Sequence, residues 1–529
     1  MNRHRFHDVR SRYPASDGLV RPHARPLSAG RPWRYVKCMC RSSEQGGRLV
    51  ALFSVAVLAL SLAPRLRAAE DRPLSDFAHL VQRANWTEQW PTAAGEMETR
   101  DVSGEIWTGA MQAVLNEQGT LHIPARAEPY YLDGPLVLKS GGRLTADGDA
   151  VIRLKPGTNT CMVRNAHVVS FVDRPVPKST QPDQDIVIEG GIWTTLATSH
   201  RERNGNRVGT SAQANPVFGT AGVILLHNVR NVVVRNITVR QSGPHAIHLG
   251  IARNFTVDGL VLDDTQRCGV QVEGPASEGV IRRIRGRSAD DVVALNAWDW
   301  KNYAPSFGPI HHVLIEAVQG SAGDEQTPLG RDYAGSFHHD GAPENAIRML
   351  PGVKQFHDGT TLDCPIHDIT LRDISGIREF KMYDQPNLEL GRENDASASI
   401  GTFRNIRFEK LRFDRPSMIE LHANADGITI EDVTLNHPLP ADWHLLRIGP
   451  KSQTLRLGGD ADPTRWTEIF SPDRNCTVRN VRVSKVRATG IDHPIPVDRH
   501  IKVIELSLNP DYPQTTPRGG TGKGIWIRE

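Results

Sequence analysis

The middle of the chain repeats itself at a fixed interval of 23 residues. The runs Val223–Leu226, Ala246–Leu249, Gly269–Val272 and Val292–Leu295 begin at 223, 246, 269 and 292, three equal steps. A second run follows each of the first two, at Asn231–Val239 and Asn254–Leu262, and returns as His367–Ile374, Asn405–Phe413, Gly427–Leu435 and Asn475–Val483. Each unit alternates β-branched and polar residues between breaks of Asn, Gly and Asp, the pattern of short strands and turns. One such coil cannot bury its own inward side chains. Coils stacked about 4.8 Å apart pair every strand with its equivalents above and below and enclose a continuous apolar cylinder. A β-propeller would need about 40 or more residues per blade and antiparallel hairpins. The step of 23 therefore predicts an all-β chain, a right-handed parallel β-helix.

The beginning of that cylinder is also legible. Thr108–Leu115 has the apolar spacing of a helix, and strands are expected at Gly119–Pro124, Leu136–Leu138 and Val151–Leu154. The helix is expected to cap the open end of the stack. Residues 70–106 form a lead-in, and 107–529 a single β-helix domain with a loop insertion at about 297–345. Upstream, Leu49–Ala63 is one apolar stretch, with Arg41 and Arg48 before it and small residues at Ala68 and Ala69 after it. That is the pattern of an export signal, shorter than the roughly 20 residues of a membrane span. Pro64–Arg67 is a poor cleavage context, so an uncleaved anchor is the competing reading. A signal of ordinary length would start at Met39, leaving 1–38 dispensable, and the exported protein would begin near Glu70 in the periplasm or outside the cell.

Removing 1–69 leaves 50 basic against 57 acidic residues, a formal net charge of −7. Nucleic-acid binding, which leans on a basic footprint, is disfavoured, and so is long-range steering of a polyanion. Four cysteines remain, Cys161, Cys268, Cys364 and Cys476, far apart and without metal or redox spacing. Export would permit disulfides without requiring them. No cofactor and no metal are expected.

Strand alternation sorts the repeated wall into columns. With Ile247, Val270, Val293, Ile347, Phe380 and Ile419 pointing inward, the next residues point outward: His248, Gln271, Ala294, Arg348, Lys381 and Glu420. A second outward column reads His227, Gly250, Glu273, Asn296, Leu350, Tyr383 and His422. An ordinary solvated face can be this polar. Directional polar groups beside Trp298 and Trp300 also suit a sugar-binding groove, with Arg348, Lys381, Glu273, Gln271, His248, Asn296, Trp298 and Tyr383 as substrate contacts.

Asp290 and Asp291 stand at the turn before one of these strands. Aspartate favours turns for its own backbone bonds. Two crowded carboxylates also resist ionising together, so one can serve as acid and the other as base, the pair that glycoside hydrolysis needs. On that reading Asn at either position abolishes turnover with little thermal cost. Glu273, five strand positions on, is too far to be the partner. Val292 and Ala346 are 54 residues apart where one step would suffice, and the extra loop carries Asp332, His338, His339, Asp340 and Glu344. Long loops on repeat folds often sit on the functional face, so His339 and Asp340 are further catalytic candidates.

From about Trp107 onward the chain resembles the pectate-lyase-like β-helix superfamily, on the segment Gly109–Leu154, which is similar to that superfamily's N-terminal capping region. Ser288–Leu295 is similar to the double-aspartate strand of polygalacturonase-type hydrolases, glycoside hydrolase family 28. The resemblance implies a general acid at Asp290 and a water-activating role at Asp291. A further family aspartate falls at Cys268, the family's Arg-Ile-Lys motif is echoed only as Arg348–Leu350, and its Gly-His-Gly has no counterpart. These departures point to a different substrate.

Together these readings predict an exported glycoside hydrolase of inverting type acting on a polysaccharide. Two alternatives are carried with it. One is a polysaccharide lyase, with Lys381 or Arg348 removing a proton beside a uronate carboxylate, usually with calcium. The other is a glycan-binding β-helix without catalysis.

Overall fold

The computed structural model describes residues 72–528 except 92–96, 159, 196–201, 204–205, 208–221, 300–303, 322–344, 357, 384–400, 414–416, 436–444, 449–452, 456–466, 470–475, 489–494, 499–500 and 509–524. The chain is a right-handed parallel β-helix. Its register reproduces the repeat: Ile224 pairs with Ile247, Ile247 with Val270, and Val270 with Val293, all in parallel. The stack continues through Ile347, Phe380, Ile419 and Leu446.

Each coil bends at residues in left-handed backbone conformation, which divide it into three walls: in one coil the first wall is 247–250, the second 255–258 and the third 261–265. One corner column runs Asp185, Asn231, Asn254, Glu278, His312, Asp368 and Asn405, all with φ between 50° and 59°. Asn and Asp tolerate this conformation best. Their side chains also link coils: Asn254 Nδ2 donates to Asn231 Oδ1, and Asn231 Nδ2 to Asp185 Oδ1, both at 2.9 Å. The Asn positions that punctuate the sequence repeat are therefore both corner and staple.

Inside, alternate residues form the apolar cylinder, with Phe255, Phe380, Phe403, Phe408 and Phe413 among its largest fully buried side chains. Burying a phenylalanine ring contributes about 1.5–3 kcal/mol, and the rings of Phe380 and Phe408 meet edge to face at 5.5 Å. The capping helix spans Thr108–Gln118 and buries Ala110, Met111, Val114 and Leu115. It stops at Gly119, whose φ of 73° lets its N–H reach Leu115 O at 3.0 Å. The predicted strands are found at Thr120–Ile123, Leu136–Leu138 and Val151–Leu154.

Two features differ from expectation. The lead-in contains an antiparallel hairpin, Gln82–Pro91 with Met97–Ile106, tied to the cylinder where Trp86 meets Tyr131. The insertion is narrower than 297–345, because Ile310–Gly320 is a regular second-wall strand pairing with the coils on both sides.

Candidate active site

The corner that leads from the third wall to the first is stitched to its neighbours at Ser288. Its hydroxyl donates to Arg267 O at 2.8 Å and accepts from the Asp290 N–H at 3.2 Å, while its own N–H donates to Asn345 Oδ1. The strand Asp291–Asn296 follows. Its register slips at once: Asp291 pairs with Ala346 but Val293 with Ile347, two steps against one. Such a bulge re-aims side chains. Here it brings the Asp291 carboxylate onto the outward face, where strict alternation from Val293 would turn it inward.

Three coils converge on that carboxylate. Cys268, one coil below, places Sγ 3.6 Å from Asp290 Oδ2 and 3.6 Å from Asp291 Oδ2. Arg348, one coil above, forms an ion pair with Asp291 Oδ2 through Nε at 2.9 Å, and Lys381, two coils above, brings Nζ to 3.6 Å from Oδ1. Ala294 lies between Gln271 and Arg348 in the outward column. Its small side chain leaves room for the guanidinium to fold down, and Arg348 Nη2 comes within 3.9 Å of Cys268 Sγ. Lys381 is also 4.0 Å from Glu379 Oε2.

Burial governs the electrostatics. Asp291 is fully buried, and loss of solvent raises its carboxyl to about 6, with Asp290 adding repulsion, against the pull of Arg348 and Lys381. Burial likewise lifts the Cys268 thiol well above its ordinary range, and the two aspartates push it further. The thiol therefore stays protonated beside the dyad. It is a donor and not a replacement carboxylate.

Both predicted outward columns exist. His248, Gln271, Ala294, Arg348, Lys381 and Glu420 are in register, as are His227, Gly250, Glu273, Asn296 and Leu350. They do not line an open surface: His248, Gln271, Glu273, Asn296, Lys381 and Glu420 are all buried. Gln271 Nε2 donates to Glu273 Oε1 at 2.6 Å, and His248 Nε2 lies 3.7 Å from the same oxygen. Burial raises Glu273 to about 8, so it is a neutral acid near pH 7. Asn296 donates to Asp299, and Trp298 is buried against Gly352, whose Cβ, if it had one, would meet the ring at 2.5 Å. Trp298 is thus a packing residue in this arrangement and not an open platform for sugars.

His339 and Asp340, with Asp332, His338, Glu344 and Trp300, lie outside the described residues, as does the side chain of Tyr383. Sequence reasoning missed Glu379 and Asp299. Glu379 stands in a recurring position, in register with Met418 and one residue before Phe380, but its equivalents Ala246, Ala346 and Met418 are apolar, so the column carried no signal for an acid there; Asp299 follows the strand that ends at Asn296 and belongs to no recurring run. An open groove of about 510 Å³ lies at the other left-handed corner, lined by Thr238, Arg283, Arg285 and Gln319 among others, and includes none of the site residues.

No family model matches the chain, and no curated protein does. Among solved structures it is similar to the family 28 exopolygalacturonase of Yersinia enterocolitica, at 12% identity over 81% of this chain and 84% of that one, with a TM-score of 0.39. It is also similar to the A-module of a mannuronan C-5 epimerase from Azotobacter vinelandii, at 13% identity over 80% and 94%, with a TM-score of 0.38. A third likeness is to the surface adhesin PfbA of Streptococcus pneumoniae, at 12% identity over 76% and 80%, with a TM-score of 0.39. The fold rests on the strand register above and not on these likenesses.

Proposed function

We propose that the chain is an exported glycoside hydrolase acting on a polysaccharide. The observation that supports this reading is the Asp290–Asp291 pair, aimed by a bulge into a polar column and bracketed by Cys268 below and Arg348 and Lys381 above. Crowding and burial hold one proton on such a pair to higher pH than on a lone carboxylate. In this reading Asp290, the less buried of the two, donates that proton to the leaving oxygen, and Asp291 orients the attacking water while Arg348 and Lys381 fix its carboxylate.

Ligand atoms of Asp290, Asp291 and Cys268 all lie within 4.8 Å of one another. Carboxyl groups of inverting enzymes stand about 6.5–9.5 Å apart, to admit water between them. The pair alone is too close for that. An inverting reaction would need a further base, for which the insertion residues His339 and Asp340 are the candidates.

The experiment is a screen of purified protein against arabinans, galactans, xylans and polyuronates, reading both reducing ends and ultraviolet absorbance. New reducing ends without new absorbance support hydrolysis. New absorbance from unsaturated ends would point to the lyase reading. Retention of a glycan without cleavage would favour a binding protein. Export is tested by N-terminal sequencing of secreted protein, expected to begin near Glu70.

A further inference from the structure

The corner between the first and second walls carries a second concentration of ligand-type side chains, apart from Asp290 and Asp291. His311 and His312 open one strand, and His367 and Asp368 occupy the equivalent positions one coil above. His312 and Asp368 belong to the left-handed corner column that holds Asn at 231, 254 and 405. In that column side chains of successive coils lie one over another at the surface. The rings of His311 and His367 are stacked 4.8 Å apart at 8°, and His312 stands edge-on to both, at 4.9 and 6.1 Å.

The polar atoms are close. His367 Nδ1 is 2.8 Å from Asp368 Oδ2, His312 Nε2 is 3.7 Å from the same oxygen, and His311 Nδ1 is 2.7 Å from His312 Nδ1. Ligands about 2.0–2.2 Å from a tetrahedral ion stand roughly 3.3–3.6 Å from each other; the His312–Asp368 contact is near that spacing, while the 2.7 and 2.8 Å contacts are hydrogen bonds that an ion would replace. Asp368 is oriented from behind: Asn405 Nδ2 donates to Oδ1 at 2.6 Å, leaving Oδ2 for the imidazoles. Glu278, one coil below His312, adds negative charge, shared with Arg253. Ser277 below His311 and Arg404 above His367 limit the cluster to two coils, enough for one ion.

We propose that His312, His367 and Asp368, with His311 beside them, form a surface site for one divalent transition-metal ion of the zinc or nickel type, for which imidazole and carboxylate are suitable ligands. Convergence of all three ligand atoms requires rotation of the His312 ring, whose side chain is 61% exposed. The competing position, Cys268 with Asp290 and Asp291, already has three ligand atoms together, but Arg348 and Lys381 hold positive charge against it.

The test is equilibrium dialysis of untagged, chelator-treated full chain against zinc, with bound metal measured by elemental analysis. We expect one zinc per chain. The His312→Ala/His367→Ala double variant and, separately, Asp368→Asn should weaken binding by at least about tenfold, with unchanged melting curves because these side chains lie at the surface. Cys268→Ser and His338→Ala/His339→Ala should bind as the parent does. Undiminished binding in the double variant and in Asp368→Asn, loss of binding in either of the last two variants, or no zinc bound by the parent at submillimolar concentration would overturn the proposal.

Discussion

Arg348 Nε stands 2.9 Å from Asp291 Oδ2, and the pair is buried, with the Arg348 side chain 11% and the Asp291 side chain 0% exposed. A buried pair is weak evidence of net stability, but breaking one leaves an uncompensated charge that costs about 3–5 kcal/mol. Arg348→Met should therefore lose stability on that scale near pH 7, because Asp291 is then buried without its nearest cation. Asp291→Asn should cost less, since the carboxyl, raised to about 6, already favours the neutral form that Asn imitates. Asp290→Asn should also be mild in denaturant titration. If the pair is catalytic, both Asn variants should lose about 10²- to 10⁴-fold in turnover. Equal melting of Arg348→Met and the parent would contradict the buried ion pair.

Cys268 is expected to be chemically silent. The thiolate is the reactive form, and burial beside two carboxylates disfavours it strongly. Cys364 is pushed up to about 12, chiefly by burial, and Cys161 is also buried. Native protein treated with iodoacetamide and mapped by mass spectrometry should show these three positions unmodified, and all three modified after denaturation. Labelling of Cys268 at the rate of a free thiol would mean that the corner opens in solution.

The cylinder was legible because its signal is repeated. Ile247, Val270 and Val293 are separated by one constant step, and every copy strengthens the same reading of which side chain faces inward, so both outward columns came out in register. Asp290 and Asp291 were singled out as a motif, but their direction was not. The bulge at Asp291 reverses an alternation that the sequence alone would continue, and it is visible only against Ala346 and Ile347 in the next coil. Burial of the column escaped for a similar reason. His227 Nε2 meets Ser306 Oγ at 3.1 Å, and Ser306 donates to Gly274 O. That cover comes from a segment outside the repeat, so periodicity says nothing about it. The hairpin before Ile106 was missed because it pairs with itself and belongs to no recurring unit.

Glu273 sets a pH dependence. Its folded pKa of about 8 lies above the ordinary value of 4.5, so the folded chain keeps a proton that the unfolded chain releases between those limits. Stability from this group is fully present below about pH 4.5, declines as pH rises, and levels off above about 8. Glu273→Gln imitates the protonated acid and retains an oxygen for the Gln271 amide. Urea midpoints should show the variant close to the parent at pH 4.5 and more stable at pH 8. A parent and variant with the same slope between those pH values would place a charged carboxylate at 273 instead.

The charges around the dyad bear on the substrate. Arg348 and Lys381 are the cations of the outward column that meet the dyad, and both are committed to Asp291, with Glu379 also beside Lys381. Asp290 and Glu420 add acid to the same face, and the body after residue 69 carries a net charge of −7. A uronate polymer approaching this surface meets little free positive charge, whereas neutral sugars need only hydrogen-bonding groups. Neutral polymers should therefore be cut faster than polyuronates. The rate on the best substrate should change by less than about twofold between roughly 50 and 300 mM salt, because no long-range attraction is there to be screened. A polyuronate substrate whose cleavage falls steeply over that range would show that Arg348 and Lys381 leave Asp291 to bind substrate. The decisive comparison is then Lys381→Ala: it should spare KM on a neutral glycan if the lysine only holds Asp291, and raise KM on a uronate if it binds the polymer directly.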